Sequence, residues 1–275
     1  METRVATIII STYNSPDWLQ KVLWSYDCQT FRDFEVIIAD DGSGPETTAL
    51  IHAMRLQLSY PIRHVWHEDN GFQKTTILNK AIVESTSAYI IFTDGDCIVR
   101  KDFVETHIRL RRHRSVISGG YFKLNKVISN TISKDDIIAQ RCFDIKWLVG
   151  HGLKTSFKMN KLSSLGLKAK LLNAITPTKA TFDGMNVSAW KEDILLVNGF
   201  DERMQYGGED RELGERLMNI GIGFIQARYS VICVHLFHER PYKNIESLMK
   251  NKQIREQTKS KRLKYTDFGI VKRDL

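Results

Sequence analysis

Residues 89–99 read YIIFTDGDCIV, an apolar run that leads directly into two carboxylates, Asp94 and Asp96. A short apolar run of this kind is typical of a strand that is buried on both faces. Two carboxylates exposed at the end of such a strand can bind a hard divalent cation together with a diphosphate. Asp-Gly-Asp is also ordinary turn chemistry, so this stretch alone leaves a structural turn and a metal site open.

The surrounding segments alternate between strand and helix patterns. We predict strands at 5–10, 34–39, 62–66 and 88–92, and helices at 15–28, from 45 onward, at 73–84 and at 102–114. Proline stands at the start of the first two helices, where its missing N–H costs no hydrogen bond. This order predicts the α/β class, with a mainly parallel central sheet flanked by helices.

Polar motifs follow three of the predicted strands. They are Ser11 to Asn14, Asp40 to Ser43, and Asp94 to Asp96. Ligands bind at the carboxyl ends of the strands in such sheets, so we expect these motifs to meet in one site. Neither Gly-x-Gly-x-x-Gly nor a P-loop occurs in the sequence, so phosphate must be held another way. A metal at Asp96 is the natural substitute.

The composition restricts the class of protein and of partner. The chain has 275 residues, 42% of them hydrophobic, and a net charge of +8, which favours an anionic partner. No recognisable nucleic-acid-binding module is present, and we expect no nucleic acid partner. The four cysteines are scattered, and no segment approaches the roughly 20 apolar residues of a membrane span. We therefore expect a cytoplasmic protein, either soluble or peripheral on the inner face of the plasma membrane.

Two stretches are strongly basic. Residues 146–182 contain seven lysines and no acidic residue, interleaved with apolar side chains. Residues 242–265 contain eight lysines or arginines against two glutamates, and their pattern indicates a helix. Solvated helix faces would explain both stretches. Contact with an anionic membrane that presents a lipid-linked acceptor would also explain them.

Several motifs, in order along residues 5–240, resemble family 2 glycosyltransferases of the GT-A fold. They are IIISTYN at 8–14, FEVIIADDGS at 34–43, Asp94-Gly-Asp96, FDGMNVS at 182–188, GFDE at 199–202 and GGEDRELG at 207–214. The last three resemble the acceptor half of galactosyltransferase-like and chondroitin-polymerase-like members. The resemblance implies a nucleotide-sugar-binding half at 1–120 and an acceptor-binding, catalytic-base half at 121–240. A basic helical tail at 241–275 would follow.

The resemblance also implies a donor site at the strand ends. Ser11, Tyr13, Asn14 and Asp41 match positions around the nucleotide, with Asp41 suited to accept a hydrogen bond from the uracil imide. Asp94 matches a position near the ribose and the metal.

The third predicted helix departs from the family pattern. Many relatives have an Arg-Asn pair there, whereas this chain has Leu78-Asn79, so Asn79 stays a candidate donor contact and the cation is missing. Lys74 could replace that cation. A solvated helix lysine is the alternative.

The metal ligands follow from the resemblance as well. Asp96 matches the carboxylate that binds Mn²⁺ or Mg²⁺, and His235, at the end of a strand predicted at 230–234, matches a histidine that completes the site in some relatives. His238 is the competing choice. A histidine that closes an apolar strand can also be a satisfied polar end.

The Gly207-Gly208-Glu209-Asp210 block places two carboxylates at the first turn of a predicted helix, where the helix dipole stabilises their charge. Simple N-capping would also explain them. By resemblance, Asp210 is the catalytic base and Glu209 holds the acceptor hydroxyls. Asp183 is near enough in sequence to contact the donor sugar or the acceptor. One base and one leaving-group site imply a single displacement with inversion.

The sequence therefore predicts a metal-dependent, inverting hexosyl- or N-acetylhexosaminyl-transferase. Its donor would be a nucleotide-diphospho-sugar, with UDP favoured, and its acceptor a glycan or lipid-linked glycan of bacterial lipopolysaccharide, capsule or another surface polysaccharide. A sugar-phosphate nucleotidyltransferase is the enzymatic alternative, but its glycine- and lysine-rich first loop is missing. A non-catalytic nucleotide-sugar-binding module is the other alternative, which the intact Asp96 and Asp210 oppose.

Overall fold

The computed structural model describes residues 3–239 and 243–272. Within them the strands are β1 Ala6–Thr12, β2 Phe34–Asp40, β3 Ile62–Trp66, β4 Tyr89–Asp94, β5 Cys97–Val99, β6 Ser115–Ser118, β7 Gly120–Lys123, β8 Asn186–Trp190, β9 Gly223–Gln226 and β10 Ile232–His235. The α-helices are α1 Pro16–Asp27, α2 Pro45–Arg55, α3 Lys74–Glu84, α4 Phe103–Leu110, α5 Lys126–Thr131, α6 Lys134–Ile138, α7 Ile145–Gly150, α8 Asn160–Ser163, α9 Gly166–Ala174, α10 Lys191–Leu196, α11 Glu209–Asn219 and α12 Ile245–Ser260.

The central sheet has seven strands in the order β3-β2-β1-β4-β8-β6-β9. Neighbouring strands are parallel from β3 to β4, and β8 runs antiparallel to both β4 and β6. This mainly parallel sheet with flanking helices confirms the predicted α/β fold. Strands from both predicted halves, 1–120 and 121–240, belong to this one sheet.

The chain order reverses between β1 and β4, because β2 and β3 extend the sheet on the other side of β1. Such a reversal opens a crevice at the carboxyl ends of the two strands. The parallel register aligns Ser11 with Asp94 and Thr12 with Asp40 at these ends. The sheet thereby brings the three predicted polar motifs to one edge.

A second, three-stranded sheet has the order β5-β10-β7. β10 is antiparallel to β5, and their register places His235 opposite Cys97, the residue after Asp96. A histidine far along the chain is thereby brought to the Asp94-Gly-Asp96 turn.

Apolar side chains fill both faces of the central sheet. On β1, Ile8 and Ile10 belong to one core cluster, whereas Ile9 belongs to the cluster on the opposite face. Because successive side chains of a strand point to opposite faces, a strand covered on both sides reads as a continuous apolar run. The run of isoleucines at the start of the sequence is explained in this way.

Several predicted boundaries are wrong by up to four residues: β1 and β4, for example, each extend two residues beyond their predicted ends. The strand predicted at 230–234 begins at Ile232, because the backbone N–H groups of Ser230 and Val231 turn back to the carbonyl of Ala227. The helix predicted at 102–114 ends at Leu110, and the guanidinium of Arg111 then lies over the Tyr89 and Trp190 rings at 5.9 Å from each.

The basic C-terminal stretch is helical, as predicted, but it packs into the fold. Helix α12 lies along α11 and buries Ser247, Asn251, Ile254 and Thr258. These residues are three or four positions apart and therefore form one stripe of the helix. None of the helices in the described ranges is both long and apolar enough to cross a membrane.

Candidate active site

Lys74 and Asp94 form an ion pair at the crevice between β1 and β4. The Lys74 Nζ donates to Asp94 Oδ1 at 2.7 Å, and the Ser11 hydroxyl donates to the same oxygen at 2.7 Å. Burial raises the pKa of Asp94, but the Lys74 ammonium and these hydrogen bonds outweigh it and hold the pKa below its ordinary value. Burial lowers the pKa of Lys74, but the negative charges of Asp94 and Glu209 raise it by more than burial lowers it. Lys74 and Asp94 therefore both stay ionised.

The alternative of a solvated helix lysine at Lys74 is wrong. Its side chain is only 23% exposed, and its charge also acts on Glu209 and Asp210. This position follows from the start of α3 at Lys74, directly beside the carboxyl end of β4.

Asp41 is held by protein groups at both carboxylate oxygens. Its Oδ1 lies 2.8 Å from His67 Nε2, and its Oδ2 accepts the Gln73 backbone N–H at 3.0 Å. Lys80 Nζ lies 3.3 Å from His67 Nδ1. An ammonium can only donate, so Nδ1 accepts and Nε2 carries the proton that points to Asp41. Burial raises the pKa of Asp41 in spite of these hydrogen bonds.

An open cavity of about 590 Å³ lies beside Asp41. Its lining residues are His67, Glu68, Asp69, Asn70, Gln73, Thr76 and Lys80. Sequence reasoning missed His67 and Lys80. The polar run of residues 67–70 directly follows β3, so the rule that ligands bind at strand ends could have found it.

Tyr13 and Asn14 lie at the rim of the same region. The exposed Tyr13 hydroxyl donates to Asp69 Oδ2 at 2.8 Å, and this hydrogen bond raises the tyrosine pKa. Asn14 has a φ of +44° and accepts the Gly44 N–H on Oδ1 at 2.9 Å. Its own N–H donates to the Ser43 hydroxyl at 2.8 Å, so Asn14 ties the loops after β1 and β2 together.

Asn79 lies away from this group. Both hydrogens of its buried amide are donated, one to the Phe200 carbonyl and one to Glu202 Oε1, each at 2.9 Å. Its Oδ1 accepts the Phe200 N–H at 2.8 Å. The expectation of a donor contact at Asn79 is therefore corrected: the side chain connects α3 to the loop before α11.

Asp96 faces two histidines. His238 Nε2 lies 3.1 Å from Asp96 Oδ2, and His235 Nε2 lies 3.7 Å from the same oxygen. In both rings Nδ1 faces a backbone carbonyl, at 2.7 Å in His235 and 2.9 Å in His238. A carbonyl only accepts, so Nδ1 carries a proton and each Nε2 is left to turn towards the carboxylate. The two histidines, predicted as competing choices, lie on the same carboxylate.

This donor set fits a divalent cation. Asp96 Oδ2 faces one Nε2 of each histidine, and a cation at this carboxylate could take the place of the protons that otherwise bridge it to the imidazoles. Cys97 Sγ also lies within 4.8 Å of the Asp96 and His235 ligand atoms. Burial raises the pKa of the Cys97 thiol well above its ordinary value, so Cys97 is a neutral group that donates weakly to Asp96. Asp96 and His235 would hold the cation, and the third ligand would be either Cys97, whose thiol a bound cation would deprotonate, or His238 on the same carboxylate.

Gly207 and Gly208 shape the side of the site from which α11 begins. Their φ values are +109° and +91°, which side chains with a Cβ rarely adopt, and α11 begins at the next residue. Glu209 Oε2 accepts the Gly207 N–H at 2.8 Å. Asp210 accepts the Arg211 N–H at 2.7 Å and the Gly184 N–H at 3.1 Å. Helix capping alone does not explain the Gly184 contact, which joins two distant segments.

Three carboxylates gather on this side with raised pKa values. Burial, with the charge of Asp210, raises the pKa of Glu209 to about 7. Burial, with the charges of Asp210 and Asp94, raises the pKa of Asp183 to about 6. Burial also raises the pKa of Asp210. Groups with such pKa values are concentrated at sites that move protons or bind cations.

Comparison with known proteins agrees with this arrangement. The sequence pattern of glycosyl transferase family 2 matches residues 7–160, more than half of the chain. The chain belongs to glycosyl transferase family 2. The pattern described as the N-terminal domain of galactosyltransferase also matches residues 171–239 of this family 2 glycosyltransferase, which confirms the resemblance of its second half.

Curated relatives include three other glycosyltransferases. The uncharacterized glycosyltransferase YfnE of Bacillus subtilis is 27% identical over 90% of this chain and 68% of its own length. Validoxylamine A glucosyltransferase of Streptomyces hygroscopicus is 26% identical over 89% of this chain and 58% of its own length. Chondroitin synthase of Escherichia coli is 25% identical over 86% of this chain. The chain spans only 34% of that synthase, so most of the synthase has no counterpart here.

Solved structures share the fold. The mannosyltransferase PcManGT of Pyrobaculum calidifontis, in complex with GDP-Man and Mn²⁺, superposes with a TM-score of 0.58 at 17% identity, covering 88% of this chain and 59% of its own. S. aureus TarS 1-349, in complex with UDP-GlcNAc, gives a TM-score of 0.57 at 16% identity, covering 85% and 59%. Both likenesses support the GT-A fold of this family 2 glycosyltransferase.

Proposed function

We propose that this chain is an inverting, metal-dependent glycosyltransferase that moves a sugar from a nucleotide-diphospho-sugar to a hydroxyl of a glycan acceptor. One observation carries the proposal. The Lys74 ammonium lies against Asp94 on the donor side and acts on Glu209 and Asp210 on the acceptor side. A nucleotide-binding module without catalysis would not need two buried carboxylates with raised pKa values beside its ligand.

The donor proposed here is a UDP-sugar. Asp41, aligned by His67 and Gln73 beside the open cavity, is the group that would accept the uracil imide N–H. Ser11, Tyr13 and Asn14 would line the nucleotide, and Lys74 would meet its diphosphate. One solved neighbour is in complex with GDP-Man and the other with UDP-GlcNAc. The nucleobase of the donor is therefore the first property to test.

Asp96, His235 and either Cys97 or His238 would hold the divalent cation. Mn²⁺ is favoured over Mg²⁺, because Mg²⁺ prefers oxygen ligands and two of these three ligands are nitrogen or sulfur atoms. When bound, the cation would supply the positive charge that neutralises the departing nucleoside diphosphate.

Asp210 is proposed as the base that takes the proton of the acceptor hydroxyl. Burial raises its pKa and thereby makes the ionised carboxylate a stronger base than an exposed aspartate. Glu209 would bind acceptor hydroxyls, and Asp183 would contact the donor sugar or the acceptor. A single displacement by the hydroxyl, on the face opposite the diphosphate, inverts the anomeric configuration.

The proposed setting is the cytoplasmic synthesis of a bacterial surface polysaccharide, such as lipopolysaccharide or capsule. The similarity to chondroitin synthase supports a sugar polymer as the acceptor. The similarity to validoxylamine A glucosyltransferase supports a different acceptor, a small hydroxylated molecule, which should be tested beside the polymer.

A panel of nucleotide sugars tests the proposal. We expect one UDP-sugar to be hydrolysed slowly in Mn²⁺ and not in EDTA. Asp96→Ala should abolish this activity, whereas the control Asp17→Ala, at an exposed carboxylate on α1, should not change it. Hydrolysis that persists in EDTA would contradict the metal site. Pyrophosphate release from UTP and a sugar phosphate would instead support a nucleotidyltransferase.

A further inference from the structure

Helix α9 and the chain just before it carry large apolar side chains that face solvent. Leu167, Leu171 and Ile175 are 83%, 61% and 65% exposed, and Phe157 and Leu165 are also exposed. We call the side chains of Leu167, Leu171 and Ile175 the α9 face. No core contact accounts for them, and a helix between a core and water is expected to be polar on its outer side.

The inner side of the same helix is already occupied. Ala169 is 1% exposed, and Asn173 donates to the Ser230 hydroxyl at 2.9 Å. Asn173 Oδ1 also accepts the Tyr229 N–H at 2.8 Å. Leu167 and Leu171 are four residues apart, and Ile175 follows after the same interval, so they form one stripe opposite these contacts. The inner side of the helix packs against the fold, and its outer side is nevertheless apolar.

Lysines border the apolar stripe. At 100° per residue, Lys168 and Lys170 project on its two sides, and both are exposed. Residues 146–182 contain seven lysines and no acidic residue. An apolar stripe between lysines is the pattern of a helix that lies in the interface of an anionic bilayer, with the lysine heads at the level of the phosphates.

We propose that the α9 face docks this chain on the surface of an anionic phospholipid bilayer. A second copy of the chain is the wrong occupant on charge, because its own Lys168 and Lys170 would lie against the Lys168 and Lys170 of the first copy, with no acidic residue in 146–182 to pair with them. This surface is narrower than the one predicted from sequence, which included the second basic stretch. In α12, Lys259 lies 3.2 Å from Glu215 and Lys252 3.8 Å from Glu256, and one side of the helix is buried against the fold.

Docking by this face would place the segment before β10 near the membrane. Asn173 is attached to residues 229 and 230, which lead directly into β10 and His235. The chain that leaves α9 leads on to Asp183. The docking itself does not depend on the donor or on the reaction.

Sedimentation with sucrose-loaded vesicles tests the docking, using the full chain. We expect binding to vesicles of phosphatidylglycerol and phosphatidylcholine, weaker binding as salt rises, and little binding to pure phosphatidylcholine. Leu167→Ser with Leu171→Ser, and separately Lys168→Glu with Lys170→Glu, should each lower the partition coefficient about tenfold or more. All four side chains are exposed, so the variants should unfold at the wild-type temperature.

Two control pairs match these changes on other surfaces. Leu195→Ser with Leu196→Ser alters exposed leucines on α10, and Lys250→Glu with Lys252→Glu alters exposed lysines on α12. Both controls should bind as the wild type does. Equal wild-type binding to neutral and anionic vesicles, or equal losses in the controls, would overturn the proposal. A wild-type dimer that Leu167→Ser with Leu171→Ser dissociates would assign the face to a second copy. No donor is present in this assay, so its failure leaves the test of glycosyl transfer unaffected.

Discussion

At the scale of single residues, Lys74 decides how the charges of the site are balanced. It is one ammonium among Asp94, Glu209 and Asp210, and the three carboxylates respond differently to it. Asp94, which it contacts directly, has a lowered pKa, whereas Glu209 and Asp210, which it does not contact, keep raised values. The ion pair therefore keeps Asp94 charged, whereas Glu209, with a pKa of about 7, can exchange a proton near neutral pH.

The roles proposed for Asp210 and Glu209 can be separated by isosteric amides. Asp210→Asn cannot take the acceptor proton, so the transfer rate should fall about a hundred- to ten-thousand-fold. UDP affinity should be unchanged, because Asp41 and Asp96 lie on the donor side. Glu209→Gln should mainly raise the KM for the acceptor. An inactive Glu209→Gln together with a fully active Asp210→Asn would show that the two roles are exchanged. Full activity in both variants would mean that these carboxylates only cap the start of α11.

The raised pKa of Glu209 also has a consequence for stability. Its pKa is about 7 in the folded chain against an ordinary 4.5, so the folded state holds the proton that the unfolded state releases. The free energy of unfolding of the wild type should therefore lose this contribution as pH rises from about 4.5 to about 7. Glu209→Gln has no titrating group at this position, so its free energy of unfolding should rise relative to that of the wild type over this pH interval, by at most about 3 kcal/mol. Urea unfolding at pH 5 and pH 8 measures the difference, and a constant difference would contradict the assigned pKa.

At the scale of elements, α12 supports the loop that carries the two glycines. The buried amide of Asn251 donates to the backbone carbonyls of residues 205, 206 and 207, at 2.9, 3.2 and 3.1 Å. Ser247 donates to the Gln205 side chain at 2.6 Å, and Thr258 donates to Glu212 on α11 at 2.8 Å. The loop has left-handed backbone angles that its own sequence permits but does not impose. The contacts from α12 hold it and thereby fix the start of α11.

Asn251→Ala tests this support. The substitution leaves the half-buried loop carbonyls without their donor and opens a cavity at the buried Asn251, so the free energy of unfolding should fall by about 1–3 kcal/mol. The transfer rate should also fall, because Glu209 and Asp210 follow the loop directly. Gln253→Ala, an exposed amide on the same helix, is the matched control and should change neither quantity. If urea midpoints and rates of the two variants coincide, α12 does not position the site.

At the scale of the whole molecule, two sheets and one surface set where the chemistry takes place. The crevice between β1 and β4 gathers the donor-side groups, and the small sheet carries His235 to Asp96. Helix α11 brings Glu209 and Asp210 to the same edge, where Lys74 meets them electrostatically. The α9 face connects through Asn173 to the segment before β10.

The sequence by itself determined the layers of the fold and the strand-end residues of the site. Continuous apolar runs, prolines at helix starts and polar residues after each strand are local signals, and parallel pairing brings such strand ends to one edge. The family resemblance then pointed to Asp96, His235, Glu209 and Asp210. These expectations needed no distances, because each rests on a short stretch of chain.

Only the tertiary structure decided where these side chains lie and which groups they contact. It brought His235 and His238 together on Asp96, removed Asn79 from the site, and turned Lys74 inward to Asp94. It also found the contact of His67 with Asp41 and the exposed stripe of α9. All of these depend on contacts between segments far apart in the chain. Burial and partner choice follow from the packing of whole elements, which periodicity within a single element does not encode.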